Sequence, residues 1–424
     1  MAETFDRPME NIFALQSEVA EKVALYLKSE LSDEDKTKID QTPTDNIIAN
    51  NHYLRGRDQY QSYNAEDNEK SIENYKLALR EDPDFSVAMA ALSGAYSNAV
   101  QVFGTRSYNY LDIALVLAKR STILSPESVK AWNALGLAYD NMGFIEDAKT
   151  MYLTALEKNP NYATSFSNLA LILKDEGELV ESIKLQNKSI EINPLNPLSY
   201  NGLSSDYRRL EMYDKALELL DISYALDPDD WITHYYQAYN HICAGNFENA
   251  RPYIEKILSA DSTNLRYPEI AGELYSYFDP VLSRRYFERV VQSPSFDSRI
   301  NFFAGVGIGH FLWEEGKLDS ANVWLNDVYV KHKKFVQEGS ESLTSIMMLA
   351  SIHSIRKENE EAISLLESVP RTSMDYVSWI RSPMSRSLHN EPKFLDLIEK
   401  EKRVLKRMQE QVLQNEVEWA RQKG

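Results

Sequence analysis

Residues of similar size recur every 34 positions through the middle of the chain, and this repetition limits the possible folds more than any other feature. Steps of 34 residues from Trp132 reach Phe166, Tyr200 and His234, and steps from Gly136 reach Ala170, Ser204 and Ala238. A single amphipathic helix repeats its apolar positions every three or four residues and has no reason to keep a 34-residue phase. The pattern therefore predicts an array of one small structural unit.

The chemistry of the unit predicts two antiparallel helices. Small side chains at Gly136, Ala148 and Ala155 allow two helices to approach closely, and large side chains fill the space beside them. Pro160 comes at the end of the second segment, where its ring prevents the helix from continuing. Each unit is thus expected to be a helical hairpin, and the chain to be all-α.

The repeat resembles that of the tetratricopeptide family, which is also 34 residues long. The segment 129–162 carries the family pattern at Trp132, Leu135, Gly136, Tyr139, Ala148, Tyr152, Ala155 and Pro160. The resemblance implies an all-α, right-handed superhelical solenoid of antiparallel helix pairs. It also implies that the first helix of each pair lines a concave surface that binds proteins.

We divide the chain into three parts from this pattern. Residues 1–48 contain an amphipathic helix, Asn11 to Leu31, and a connector. Residues 49–370 hold about eight repeats, best formed over 129–262. Residues 371–424 are expected to cap the array, because an outermost repeat would otherwise leave its apolar face in water.

The last helix, from Pro392 to Trp419, has an apolar stripe that allows two interpretations. Ile398, Leu405, Val412 and Trp419 recur every seven residues, whereas the second heptad series is mostly polar. A coiled coil needs two apolar positions in each heptad. We therefore favour a monomer in which Phe394, Leu395, Leu397 and Ile398 anchor a cap on the face left by 343–369. The alternative is a homodimer joined through this helix.

Composition and charge predict the compartment and exclude some partners. Neither a signal peptide nor an apolar segment of membrane-spanning length is present, so we expect a cytoplasmic protein without membrane insertion. The formal net charge is −18. Nucleic acids are polyanions whose binding normally depends on Lys and Arg, so this charge predicts no nucleic-acid partner.

Catalytic or metal chemistry finds little support in the sequence. His234, His241 and Cys243 are close together, but two of them occupy packing positions of the repeat and no fourth ligand follows at a recognisable spacing. No nucleophile has a partnered base. We expect no enzymatic activity, no cofactor and no metal site.

The candidate binding residues are those that the tetratricopeptide resemblance places on the concave face. Amide, Arg and Tyr side chains there suit extended peptides; a plain solvated helix face is the alternative. The positions are Asn133, Asp140, Asn141, Ser167, Lys174, Asn201, Ser205, Arg208, Arg209, Tyr235 and Tyr239. We expect Arg208 and Arg209 to be exposed and dispensable for folding. The expected function is a non-catalytic scaffold for a protein or peptide.

Motifs at the two ends of the chain resemble a bacterial signalling arrangement. The segments are AETFDRPMENIFALQSEVAEKVALYLKSELS, NHYLRGRDQY and YVSWIRSPMSRSLHNEPKFLDLIEK. In that arrangement a TolB amino-terminal-like domain precedes tetratricopeptide repeats, downstream of an adenylate cyclase, a protein kinase or a winged-helix regulator. The resemblance implies an alternative function, in which the chain is the regulatory half of such a protein and lacks its output domain.

Overall fold

The computed structural model describes residues 44–103, 109–260, 264–297, 301–337, 343–373 and 375–423, without the side chains at 419, 420, 422 and 423. The expected helix at Asn11 to Leu31 lies outside the described residues, as does the side chain of Trp419. The regular structure of these ranges is entirely helical. The prediction of an all-α solenoid is confirmed.

Eighteen helices of the described ranges form nine antiparallel pairs in chain order. They are α1 (Ile47–Gln61) and α2 (Ala65–Glu81), α3 (Ser86–Gln101) and α4 (Asn109–Leu124), α5 (Val129–Asn141) and α6 (Ile145–Lys158), α7 (Ala163–Asp175) and α8 (Leu179–Ile192), α9 (Pro197–Arg209) and α10 (Tyr213–Leu226), α11 (Trp231–Ala244) and α12 (Phe247–Ala260), α13 (Arg266–Ser276) and α14 (Pro280–Val291), α15 (Phe302–Glu314) and α16 (Leu318–Gln337), and α17 (Leu343–Ile355) and α18 (Asn359–Ser368).

Small residues allow the two helices of a pair to approach closely, as the α5–α6 hairpin shows. A Cβ atom on Gly136 would lie 2.6 Å from the ring of Tyr152, closer than atoms tolerate. Tyr152, Ala148 and Ala155 are fully buried in α6. The large and small positions of the repeat are therefore the two sides of one contact.

The array curves with the first helix of each pair on its concave side. First helices of neighbouring pairs, such as α3 and α5 or α9 and α11, pack against each other more closely than neighbouring second helices do. We call the space enclosed by these first helices the channel. The helices α5, α7, α9, α11 and α13 are among those that line it.

The superhelix is tight enough for the first pair to approach the sixth. A cleft of about 1370 Å³ is lined on one side by the α1–α2 turn, from Ser62 to Lys70, and on the other by α11, α12 and the start of α13. Asn264 also donates a hydrogen bond to the carbonyl of Phe103 at 3.3 Å.

The chain ends in a segment that we call the brace, residues 371–373 and 375–423. It contains α19 (Tyr376–Arg381), a 3₁₀ helix (Pro383–Leu388) and α20 (Pro392–Lys423). The start of α20 buries Phe394 and Ile398 in one apolar cluster with Ala362, Ile363 and Leu366 of the ninth pair. Of the four residues expected to anchor a cap, Leu395 is 49% exposed instead of buried, and the capping role of the segment stays a prediction.

The brace also continues past the cap to the middle of the array. Leu405 and Val412 of α20 are buried in the same cluster as Leu179 and Ile183 of α8. Gln409 donates a hydrogen bond to the Leu210 carbonyl at 3.3 Å. Ile398, Leu405 and Val412 of the seven-residue stripe thus pack within one chain.

A close backbone contact fixes the brace to the α7–α8 turn. The Thr372 hydroxyl donates to the carbonyl of Gly177 at 2.5 Å. Gly177 has φ +85°, and a Cβ there would lie 1.9 Å from the Arg371 carbonyl oxygen. Only glycine meets both requirements.

Across the described ranges, the helices lack the combination of length and apolar content that crossing a bilayer requires.

Candidate binding channel

Polar residues on the concave face link neighbouring pairs to one another. Asn133 accepts a hydrogen bond from Ser165 at 2.9 Å, and Asn201 donates one to Thr233 at 3.0 Å. Each of these contacts joins residues 32 positions apart. Ser167 and Ser199 form the same link at 3.1 Å. Three of the predicted groove residues therefore hold adjacent units in register.

The series of hydrogen bonds between neighbouring units is interrupted at one position, Tyr235, and continues at Glu269. Glu269 is fully buried and accepts hydrogen bonds from the side chain of Asn301 and the backbone of Ala304, both at 3.1 Å. Between Asn201 and Glu269 the equivalent place is held by Tyr235, which presents its ring to Tyr236 and Tyr239. Tyr235 is thus the member of the series whose ring faces the channel.

Arg208 is buried and paired with the brace, contrary to the expected exposure. Its side chain is 7% exposed, and its guanidinium forms an ion pair with Asp375. It also donates to Cys243 Sγ at 3.5 Å and lies 4.4 Å from the ring centroid of Tyr239. Burial acts to raise the pKa of Asp375, but the neighbouring guanidiniums outweigh it and hold that pKa below its ordinary value.

Arg209 and Ser205 are also buried in α9. Arg209 donates to the Lys174 carbonyl at 2.9 Å and lies 3.9 Å from the Asp175 carboxylate. The expectation that both arginines are exposed is wrong, because the curvature of the array and the brace enclose them. Their burial removes the reason for expecting them to be dispensable for folding. Sequence periodicity assigns a residue to the concave face but does not reveal what covers that face.

Asp140, Asn141 and Lys174 remain at the channel, each half-buried. Burial raises the pKa of Asp140 to about 7, and the charge of Asp175 adds to this effect while Lys174 opposes it. Lys174 also acts to lower the pKa of the buried Asp206, which burial raises to about 7. This part of the channel therefore mixes both signs of charge.

Three tyrosines form a group that we call the tyrosine cluster: Tyr235 and Tyr239 of α11, and Tyr277 after α13. The rings of Tyr235 and Tyr239 are stacked with centroids 5.8 Å apart, and Tyr277 lies 6.2 Å from Tyr239. All three are half-buried. The neighbouring carboxylate belongs to Glu273.

Sequence analysis missed Glu273 and Tyr277, although a signal for them was present. Glu273 is one repeat length of 34 residues after Tyr239, and Tyr277 is one repeat length after Cys243. The repeat pattern weakens beyond residue 262, so the register was not extended to these positions. Continuing the count by one unit would have found both.

The histidines and the cysteine considered for a metal site point in different directions. His234 and His241 stack on Tyr253 with centroids 6.2 and 5.8 Å away, whereas Cys243 contacts Arg208. Burial lowers the pKa of both histidines and raises that of Cys243 to about 12. Within the described part of the chain, no group of three His, Cys, Asp or Glu side chains is arranged to hold a metal ion.

Comparison with known proteins supports the repeat assignment. Residues 133–197 and 201–264 match the tetratricopeptide-repeat family. Human protein O-mannosyl-transferase TMTC1 is 32% identical over 117 residues, which is 28% of this chain and 12% of that protein. Superkiller protein 3 of Schizosaccharomyces pombe is 23% identical over 221 residues, 42% of this chain and 16% of that protein. The chain thus matches only a small part of the length of either relative.

Solved structures extend the likeness over most of the chain. The human IFIT1 dimer with m7Gppp-AAAA gives a TM-score of 0.52 at 14% identity, covering 84% of this chain and 76% of that one. The human IFIT1 dimer with PPP-AAAA gives 0.51 at 14% identity, covering 83% and 76%. At these identities the likeness shows the fold.

The same structures contradict the prediction of no nucleic-acid partner, because solenoids of this fold are seen with capped and triphosphorylated oligonucleotides. The charge argument was wrong because net charge counts the whole surface. A ligand in the channel responds mainly to charges within a Debye length, about 8 Å at physiological salt. The channel lining includes Lys174 and Arg266 as well as acids, so a net charge of −18 excludes no partner class.

Proposed function

We propose that this chain, a tetratricopeptide-repeat protein over residues 133–264, is a non-catalytic scaffold that binds a protein segment or peptide at the tyrosine cluster of its channel. The observation that carries the proposal is that the series of hydrogen bonds between neighbouring units is interrupted at Tyr235. Asn133, Ser167, Asn201 and Glu269 are engaged in holding the array together. The three residues of the tyrosine cluster are instead only half-buried.

Tyrosine rings suit peptide binding for a physical reason. Each ring offers a large, rigid apolar face together with a hydroxyl, and it has few rotatable bonds to immobilise. Burial raises the pKa of all three hydroxyls well above the ordinary value, so they remain neutral donors. An extended peptide passing along the first helices would cover these rings and donate or accept hydrogen bonds there.

Selection from a phage-displayed random dodecapeptide library on the immobilised full chain tests the proposal. Selected peptides are then measured by fluorescence anisotropy against wild type, Tyr235→Ala and Tyr286→Ala. Tyr286 is the matched control because its half-buried ring stacks on Tyr275 in the outer layer. We expect Tyr235→Ala to weaken binding about tenfold, as for a tyrosine hot spot, and Tyr286→Ala to leave it unchanged.

Equal affinities for wild type and Tyr235→Ala would place any binding outside the channel and contradict the proposal. Circular dichroism of both variants verifies that the helices are retained. We further propose the cytoplasm as the location of this scaffold, to be checked by fractionation of cells that express a tagged full-length protein.

The alternative, a regulatory half of a signalling protein, is supported by the closing motif at 376–400. These residues form α19, the 3₁₀ helix and the start of α20, and their neighbour Asp375 pairs with Arg208 beside the tyrosine cluster. A ligand in the channel would then alter the brace. Hydrogen exchange of α19 and α20, with and without a selected peptide, tests this role: unchanged protection would argue against it.

A further inference from the structure

The carboxylate of Glu273 faces the tyrosine cluster without a partner of its own. Glu273 lies on α13 and is half-buried, and no hydrogen bond or ion pair within the described residues engages its carboxylate. Glu269, one turn earlier on the same helix, is fully satisfied by Asn301 and by the backbone of Ala304. The two glutamates thus have different roles: Glu269 holds α15, and Glu273 faces the channel.

Glu273 precedes Tyr277 by one helical turn, which places these two side chains next to each other. After burial itself, the Glu273 charge is the strongest influence that raises the pKa of Tyr235 and of Tyr277. The carboxylate therefore lies beside two neutral phenols and a third ring, Tyr239, that stacks on Tyr235 at 5.8 Å. An acid bordered by aromatic faces is the arrangement that attracts a cation.

Two arginines near the cluster are compensated by carboxylates. Arg208 is compensated by Asp375. Arg266 is compensated by Glu269, with Nη1 3.5 Å from Oε2. Arg381 is a further cation of this region, but its guanidinium lies over the Phe247 ring at 5.9 Å. Glu273 is therefore the charge next to the rings of Tyr235 and Tyr277.

The cluster already accepts one cation from the protein itself. The Arg208 guanidinium carbon lies 4.4 Å from the centroid of the Tyr239 ring, a cation–π distance. This contact uses one face of one ring. The faces of Tyr235 and Tyr277 near Glu273 hold no such guanidinium in the described structure.

We propose that Glu273 and the tyrosine cluster form a recognition site for a basic side chain, a lysine or arginine of a bound peptide. The inference rests on the proposed function and names the chemistry of its ligand. The aliphatic stem of the side chain would lie on the rings while its charged end meets the Glu273 carboxylate.

The protonation of Glu273 provides an independent readout. Burial raises the pKa of Glu273 to about 7, assisted by Glu269 and opposed by Arg266. A bound cation stabilises the carboxylate form, so binding should release protons near neutral pH. Affinity for a basic peptide should accordingly rise between pH 6 and pH 8.

Sequencing of the dodecapeptides retained by wild type, Glu273→Gln and Glu255→Gln tests the site. Glu255 is exposed on α12, outside the channel, and its substitution makes the same change in charge. We expect Lys and Arg to be enriched about fivefold over the input library at one position for wild type and Glu255→Gln, as one cation–π contact of about 1 kcal/mol provides. Glu273→Gln should lose the enrichment and the pH dependence while still binding peptides.

The outcomes separate this inference from the proposed function. Peptides without a basic preference, or a preference that survives Glu273→Gln, would overturn the cation site and leave the peptide scaffold standing. Failure to retain any peptide would overturn both. A triphosphorylated tetra-adenylate probe completes the test. If this probe displaces the selected peptides from the wild type, the site binds an anion, and the assignment of a cationic ligand is refuted.

Discussion

The ion pair between Arg208 and Asp375 is expected to hold the brace to the middle of the array. The loss in the free energy of unfolding caused by Arg208→Ala measures the contribution of this pair. The guanidinium is 7% exposed and the carboxylate 17% exposed, so both charges are largely out of water. Without Arg208, Asp375 retains one backbone hydrogen bond, from Ser378 at 3.3 Å. The variant therefore leaves a poorly compensated carboxylate inside the protein.

The size of the effect follows from this burial. Removing one partner of a buried pair costs about 3 to 5 kcal/mol, because the remaining charge is neither solvated nor paired. The lost contact with the Tyr239 ring is part of the same change. Replacing both charges with apolar side chains, as in Arg208→Met with Asp375→Leu, should recover most of the loss because no isolated charge remains.

Urea unfolding followed by circular dichroism gives the free energy of unfolding of each variant. The matched control is Arg120→Ala, which removes an arginine whose ion pair with Asp84 has side chains 56% and 70% exposed. An exposed pair contributes less than about 1 kcal/mol. If Arg208→Ala costs no more than Arg120→Ala, the pair is not buried in solution and the closed arrangement of the brace is wrong.

Three further outcomes follow from the structure. Burial raises the folded-state pKa of Glu273 to about 7, above its ordinary value. Its contribution to stability is therefore complete at low pH and lost as the pH rises through 7. Glu273→Gln should make the urea midpoint less dependent on pH over this range. Leu405 is 5% exposed, so Leu405→Asp should lower the free energy of unfolding by about 3 kcal/mol or more by burying a charge. Sedimentation of the wild type should show a monomer at all concentrations. EDTA should leave the helical ellipticity unchanged, because His234 and His241 stack on Tyr253 whereas Cys243 contacts Arg208; a loss of signal would restore the metal hypothesis.

The helical hairpins could be predicted from sequence because each is specified by residues close together in the chain. Gly136 and Tyr152 contact each other within one 34-residue unit, so their repetition is visible as a pattern. The buried small residues Ala148 and Ala155 follow the same logic. Local contacts of this kind leave a periodic record in the sequence.

Exposure on the concave face could not be predicted in the same way, because it depends on contacts between distant segments. Arg208 and Asp375 are 167 positions apart, and Tyr207 and Glu416 are 209 positions apart. These contacts occur once in the chain and therefore have no period. The sequence correctly indicates that Arg208 belongs to a first helix, but it does not indicate that the brace reaches it.

The brace also changes what the channel can recognise. Arg208 and Lys174 occupy equivalent places in neighbouring units, where the sequence favours an anionic ligand group. The chain supplies its own carboxylate, Asp375, to Arg208 and thereby removes that positive site from the channel. In the next two units the neighbouring channel surface carries Tyr239 and Glu273, which are one repeat length apart. We therefore expect the intramolecular pair to shift the binding preference at this end of the channel from anions to cations, and an Asp375→Asn variant to bring anion binding back to Arg208.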